Sequence, residues 1–186
     1  MGKTWKYDFD IAKFSRAIEG RPDDHRAYNN RGIAYQKKGL YHLSITDFNK
    51  AIELNPLFVQ AYINRGNAFQ EMGEYERSVS DLERAIELDP GNSMAYNNRG
   101  FTFIVMGRFE NAERDIRRSL ELSPHNIYAL NSMAELHAAR NNPIEACKWL
   151  QLAMENGYNN WAYINTSRTY DTVRNAPCFK ELMRRK

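Results

Sequence analysis

The chain has 186 residues and a formal net charge of +3, with 42% apolar and 26% charged residues. That composition supplies a core for one domain or a short repeat array, and no apolar run nears the roughly 18 residues of a membrane-spanning helix. The opening residues Met1 to Asp8 lack the apolar stretch of a secretory signal, so a cytoplasmic location is expected.

Charge and cysteine content narrow the field further. Positions 161–186 hold six basic and two acidic side chains, whereas positions 1–160 hold 20 and 21. The positive excess therefore sits at the C-terminal end, which finishes Met183-Arg184-Arg185-Lys186. A nucleic-acid surface spreads basic charge along a face, so nucleic acid is not an expected partner. Cys147 and Cys178 are too few for a disulfide framework or a zinc site, and both read as plain buried thiols.

A repeat organises the chain. Pro22, Pro56, Pro90 and Pro124 stand at one constant step of thirty-four positions. Ala51-Ile52-Glu53-Leu54-Asn55-Pro56 returns as Ala85-Ile86-Glu87-Leu88-Asp89-Pro90 and again as Ser119-Leu120-Glu121-Leu122-Ser123-Pro124. Ala27-Tyr28-Asn29-Asn30-Arg31-Gly32 recurs from Ala61 and from Ala95, and Gly39, Gly73 and Gly107 keep the same step.

In chain order, residues 1–24 read as the second half of a unit. Tyr7, Phe14, Ala17 and Pro22 stand where Tyr41, Phe48, Ala51 and Pro56 stand later. Residues 25–58 read as two helices. Tyr28, Gly32 and Tyr35 share one face of the first, and Gly39 ends it. Tyr41, Ser44, Ile45, Phe48, Ala51 and Ile52 stripe the second, and Pro56 closes the unit. Residues 59–92 and 93–126 repeat this plan. Residues 127–160 keep Ala134, Ala146, Leu150 and Ala153, but carry Asn141, Pro143 and Tyr158 in place of the glycine, aromatic and proline. Residues 161–186 read as a helical cap with a basic tail, a short helix near Trp161–Arg168 and another opening near Pro177.

These residues resemble the tetratricopeptide repeat (TPR) family. The resemblance implies an all-α, right-handed α-solenoid of helix-turn-helix units with a C-terminal capping helix. It further implies that first helices line a concave face where partners dock. On that reading the partner-binding positions are Arg26, Asn29, Asn30 and Lys37, then Ile63, Asn64 and Asn67, then Met94, Asn97, Asn98 and Phe101, then Tyr128 and Asn131. Asn30, Asn64 and Asn98 form a ladder of amides, each able to pair with a peptide N–H and C=O or with a neighbouring helix. Ile63, Met94, Phe101 and Tyr128 would add apolar contact.

Nothing in the sequence converges on catalysis. The four histidines have no metal-ligand spacing, every glycine of the repeats is explained by the repeat, and no serine stands in a nucleophile elbow. The expectation is a non-catalytic adaptor for a protein or peptide, with no cofactor, no metal and no small-molecule substrate. The clamp with which some TPR domains bind a chaperone's C-terminal carboxylate needs cations where this chain has Ile63, Tyr128 and Ser132. An alternative contact is the open edge of the N-terminal half unit, where Trp5, Tyr7, Phe9 and Phe14 would meet a second copy or a larger complex.

Overall fold

The computed structural model describes residues 4–184; Met1–Lys3 and the last two residues of the basic tail, Arg185-Lys186, lie outside the described residues. The described residues form eleven α-helices and one 3-10 turn, with no strand among them. None of those helices is long and apolar enough to cross a membrane. The chain divides into two compact units, residues 1–90 and 91–186.

In the first unit α1 (Thr4–Gly20), α2 (His25–Lys37), α3 (Tyr41–Leu54), α4 (Val59–Glu71) and α5 (Tyr75–Leu88) pack each against the next, and α2 lies beside α4. Asp24 starts α2 by accepting from the backbone N–H groups of Arg26 and Ala27 at 3.0 and 3.1 Å. The α2–α3 turn needs a left-handed residue, which Gly39 supplies at φ +75°. The hairpin then closes tightly: a Cβ on Gly32 would lie 2.6 Å from Cε1 of the fully buried Phe48.

The second unit holds α6 (Ser93–Val105), α7 (Phe109–Leu122), α8 (Ile127–Ala139), α9 (Pro143–Glu155), α10 (Trp161–Thr166), a 3-10 turn at Arg168–Tyr170, and α11 (Pro177–Arg184). Helices α6 to α9 form two hairpins, with α6 beside α8. The α8–α9 turn survives the loss of its glycine because Asn141 adopts φ +54°, a conformation asparagine tolerates better than other side chains. Asn142 then caps α9 and Pro143 stands in its first turn. The last helices keep the phase of the repeat: α10 opens one full step after α8, and α11 opens one full step after α9. The 3-10 turn packs on α8 and α11 packs on α9.

One expectation is overturned here. Cys147 of α9 and Cys178 of α11 are not free thiols; they form a disulfide, with Cα atoms 6.1 Å apart. The pairing joins the closing helix to the hairpin before it.

The segment between those cysteines is anchored on a buried carboxylate. Glu135 of α8 is 1% exposed. Its Oε1 accepts from Tyr163 and Thr169, both at 2.6 Å, and from Ser167 at 3.4 Å. Its Oε2 accepts from Asn131 at 2.8 Å, and Asn131 in turn accepts from the Tyr170 hydroxyl at 2.9 Å. Burial pushes the Glu135 carboxyl up to about 7, although the hydroxyl donors favour its charged form.

This packing can be tested at two places. Gly100→Val should destabilise the chain by about 2–3 kcal/mol in urea unfolding, because a Cβ there would meet Ile116 Cγ1 at 2.7 Å and the Ala112 carbonyl oxygen at 3.2 Å. For Glu135, the folded carboxyl holds its proton more tightly than the unfolded one, whose value is near 4.5. Its contribution to stability is therefore complete below about pH 4.5 and is lost as pH rises through about 7, by up to about 3 kcal/mol. Urea midpoints at pH 5 and pH 8 should converge in Glu135→Gln relative to the parent; equal pH dependence in both proteins would refute the assignment.

Candidate partner-binding surface

In the first unit, α2 and α4 enclose an open pocket of about 260 Å³. Ile33, Gln36 and Lys37 come from α2, and Asn64, Asn67 and Glu71 from α4, each set at three-and-four spacing along one face. Tyr41 of α3 closes one side, its hydroxyl 3.5 Å from Glu71. Burial, and then the Glu71 carboxylate, raise the Tyr41 phenol above its ordinary value. Lys37 is exposed and makes no ion pair among the described residues, whereas its neighbour Lys38 pairs with Asp8. The pocket thus offers a cation, a carboxylate, three amides and one aliphatic side chain.

The amides do not all face this pocket. Asn29 is buried and accepts from Asn64 Nδ2 at 2.9 Å, which ties α2 to α4 and leaves the Asn64 oxygen as an acceptor. Asn30 is exposed and Asn67 half-buried. Arg26 is exposed at the start of α2. Ile63, expected to form an apolar contact for a partner, is fully buried and belongs to the core, so it offers a partner nothing.

In the second unit Asn97 is buried, and its Nδ2 reaches Asn98 Oδ1 at 3.3 Å. Asn98 is half-buried. Asn131, expected to face a partner, is closed off by its bonds to Glu135 and Tyr170. Met94 and Tyr128 are 52% and 60% exposed, and Phe101 is half-buried. Tyr128 meets Tyr158 edge-on with ring centroids 6.2 Å apart, so the tyrosine standing at the missing proline packs instead of turning the chain. Along α1, Trp5 and Phe9 are 68% and 65% exposed, while Tyr7 and Phe14 are half-buried.

The sequence reading missed a set of ion pairs that holds the first helices in place. Arg31 grips Asp47 through Nε and Nη2, both at 2.8 Å. Arg65 grips Asp81 at 2.7 and 2.6 Å, and Arg99 grips Asp115 at 2.6 and 2.9 Å. The hydrogen bond to Asp47, and then its charge, raise the Arg31 guanidinium further above its already high value, against the effect of burial. A signal was present: the three aspartates keep the step of the repeat, always 16 positions after their arginine.

Tetratricopeptide repeat models match residues 25–58 and 59–92, and a further one matches residues 82–114. No curated protein matches the chain. Among solved structures, the TPR protein TTC0263 of Thermus thermophilus is 20% identical, with a TM-score of 0.76 and coverage of 90% of either chain. YrrB, described as a TPR protein with an unusual peptide-binding site, is 20% identical, with a TM-score of 0.62, over 91% of this chain and 88% of that one. The first TPR of Spaghetti (RPAP3), bound to an HSP90 peptide, is 27% identical, with a TM-score of 0.59, over 62% of this chain and 92% of that one. The hairpins recurring at a constant step and these matches agree: the fold is the all-α TPR solenoid class, and residues 25–114 are tetratricopeptide repeats.

Proposed function

We propose that the chain is a non-catalytic protein-binding adaptor that takes an extended peptide segment on the inner positions of its first helices. The observation that carries this reading is the pocket between α2 and α4, where Gln36, Lys37, Asn64, Asn67 and Glu71 stand together around Ile33. Amides there can meet the alternating N–H and C=O groups of an extended backbone with little regard for its side chains. Each such bond contributes about 0.5–1.5 kcal/mol net, so two or three give weak affinity alone. Ile33, and in the second unit Met94, Phe101 and Tyr128, would supply apolar contact. The relatives support a binding role: YrrB is described by its peptide-binding site, and the Spaghetti (RPAP3) domain was solved with a peptide. Capture of a chaperone's C-terminal carboxylate is not part of the proposal, because Ile63, Tyr128 and Ser132 replace the cations of that clamp.

Peptides selected by display against the whole chain should slow backbone hydrogen exchange in α2 and α4. Lys37→Ala with Asn67→Ala should weaken them about tenfold while leaving the unfolding midpoint unchanged. Protection confined to other helices would defeat the reading.

A second reading, self-association through the N-terminal edge, is favoured by the exposure of Trp5 and Phe9. Light scattering decides it. A dimer mass for the parent that falls to the monomer in Trp5→Glu, Phe9→Glu would support it, and a monomeric parent would end it.

A further inference from the structure

We propose that the C-terminal end of the chain carries a second docking surface, a cationic pocket that takes an acidic peptide segment. The pocket has a volume of about 390 Å³ and is lined by Asn165, Arg174, Phe179, Lys180, Met183 and Arg184, without a carboxylate in the lining. It stands on other residues than the α2–α4 pocket and goes beyond that reading.

Lys180 and Arg184 are four positions apart on α11, on one face of the helix. Both are exposed, and neither makes an ion pair among the described residues. Like charges at that spacing work against the helix that carries them, and a helix of 8 residues has little stability of its own. It is held from outside instead: Phe179 and Leu182 are buried, and Cys178 is bonded to Cys147 of α9. The two cations are therefore presented on a fixed element, although nothing among the described residues neutralises them.

The wall opposite is fixed as well. Arg174 donates to the carbonyl oxygens of Ile164, Asn165 and Ser167 at 3.2, 2.7 and 2.8 Å, and to Asp171 at 3.1 Å. Its charge is partly spent on those contacts, so Lys180 and Arg184 are the groups left for a ligand.

Charge complementarity makes the occupant anionic, and three features favour a peptide over other anions. The half-buried Met183 puts an apolar surface beside the cations, suited to a side chain rather than to a bare phosphate. The basic charge is local: positions 1–160 carry 20 basic against 21 acidic groups, so a long polyanion would find no track to follow. The spacing also fits, since side chains one turn apart on a helix have Cβ atoms about 5–6 Å apart. Alternate side chains of an extended strand, at about 3.3 Å rise per residue, point the same way roughly 6.6 Å apart. A Glu-x-Glu segment would thus place one carboxylate on each cation, and a flanking apolar residue would reach Met183.

The test uses the whole oxidised chain and a fluorescein-labelled peptide, Gly-Glu-Leu-Glu-Leu-Gly, titrated by anisotropy. Binding is expected to weaken about tenfold in Lys180→Glu, Arg184→Glu, and to weaken with added salt. The peptide with lysines for glutamates should not bind. Circular dichroism checks that the variant is folded, and Lys180→Gln, Arg184→Gln supplies a milder pair should it not be. The Lys37→Ala, Asn67→Ala variant should bind the acidic peptide unchanged, so failure here and failure of the α2–α4 reading are separable. Unaltered affinity in either C-terminal variant would overturn the proposal. So would tighter binding of a single-stranded oligonucleotide or of phosphatidylserine vesicles than of the peptide.

Discussion

Each of the first three hairpins is held by one guanidinium. Arg31, Arg65 and Arg99 each grip, with two parallel bonds, an aspartate on the second helix of their own hairpin. Each also lies between two aromatic rings of its own helix, at 5.7 to 5.9 Å from their centroids. Arg31 reaches Ser15 of α1 and Arg65 reaches Asn49 of α3, so one side chain binds three helices. A planar fork accepts little rotation, so the pair fixes both register and helix orientation. Removing one partner would strand a charge in a largely buried place at a cost of about 3–5 kcal/mol, whereas replacing both with apolar groups is tolerated. The fourth hairpin shows that outcome: Met133 and Trp149 stand at the equivalent positions, and Met133 is fully buried.

With rotation fixed this way, adjacent residues take opposite duties. The glycine after each arginine brings the second helix close: a Cβ would collide with Phe48 at Gly32 and with Ile116 at Gly100, and would press on Leu82 at Gly66. The residue two places before the arginine then faces the interior: Asn29, Ile63 and Asn97 are buried, as is Asn131 two places before Met133. The residue just before it looks outward, and Asn30, Asn64 and Asn98 are exposed or half-buried. The amide-rich positions expected from the motif are therefore two rows, one buried and one exposed or half-buried, and Asn64 of the second row still ties α4 to α2.

The difference explains what could be read in advance. Helices, turns and phase were legible because glycine and proline mark chain geometry locally, and the constant step of the repeat returns those marks unit after unit. Neighbouring positions on a helix differ by about 100° in direction, and a repeated Asn-Asn pair does not say which member turns inward. Ile63 held the clue, since an isoleucine at an asparagine position argues that the position is interior. Glu135 was harder. It stands where earlier units have Ile33, Asn67 and Phe101, and its burial depends on Tyr163, Ser167 and Thr169, which lie beyond the recurring motifs. The cysteines are 31 residues apart, and only the return of α11 onto α9 brings them together.

Charge is handled differently at the C-terminal end. In the first three hairpins every buried aspartate meets its arginine, so the interior is electrically closed. In the fourth, Glu135 is held by neutral donors alone, and outside it Lys180 and Arg184 have no carboxylate partner among the described residues. The opposite charges do not pair, because Glu135 is sealed beneath residues 163–170 while the cations stand in solvent. The α2–α4 pocket carries one charge of each sign, so the contacts proposed there would depend on amide geometry and apolar area and would be only mildly sensitive to salt. Contacts at the proposed α11 surface would depend on net charge and would weaken as salt screens it. If both proposed surfaces are occupied, one chain would hold two partners by different forces and would release one of them through ionic strength alone.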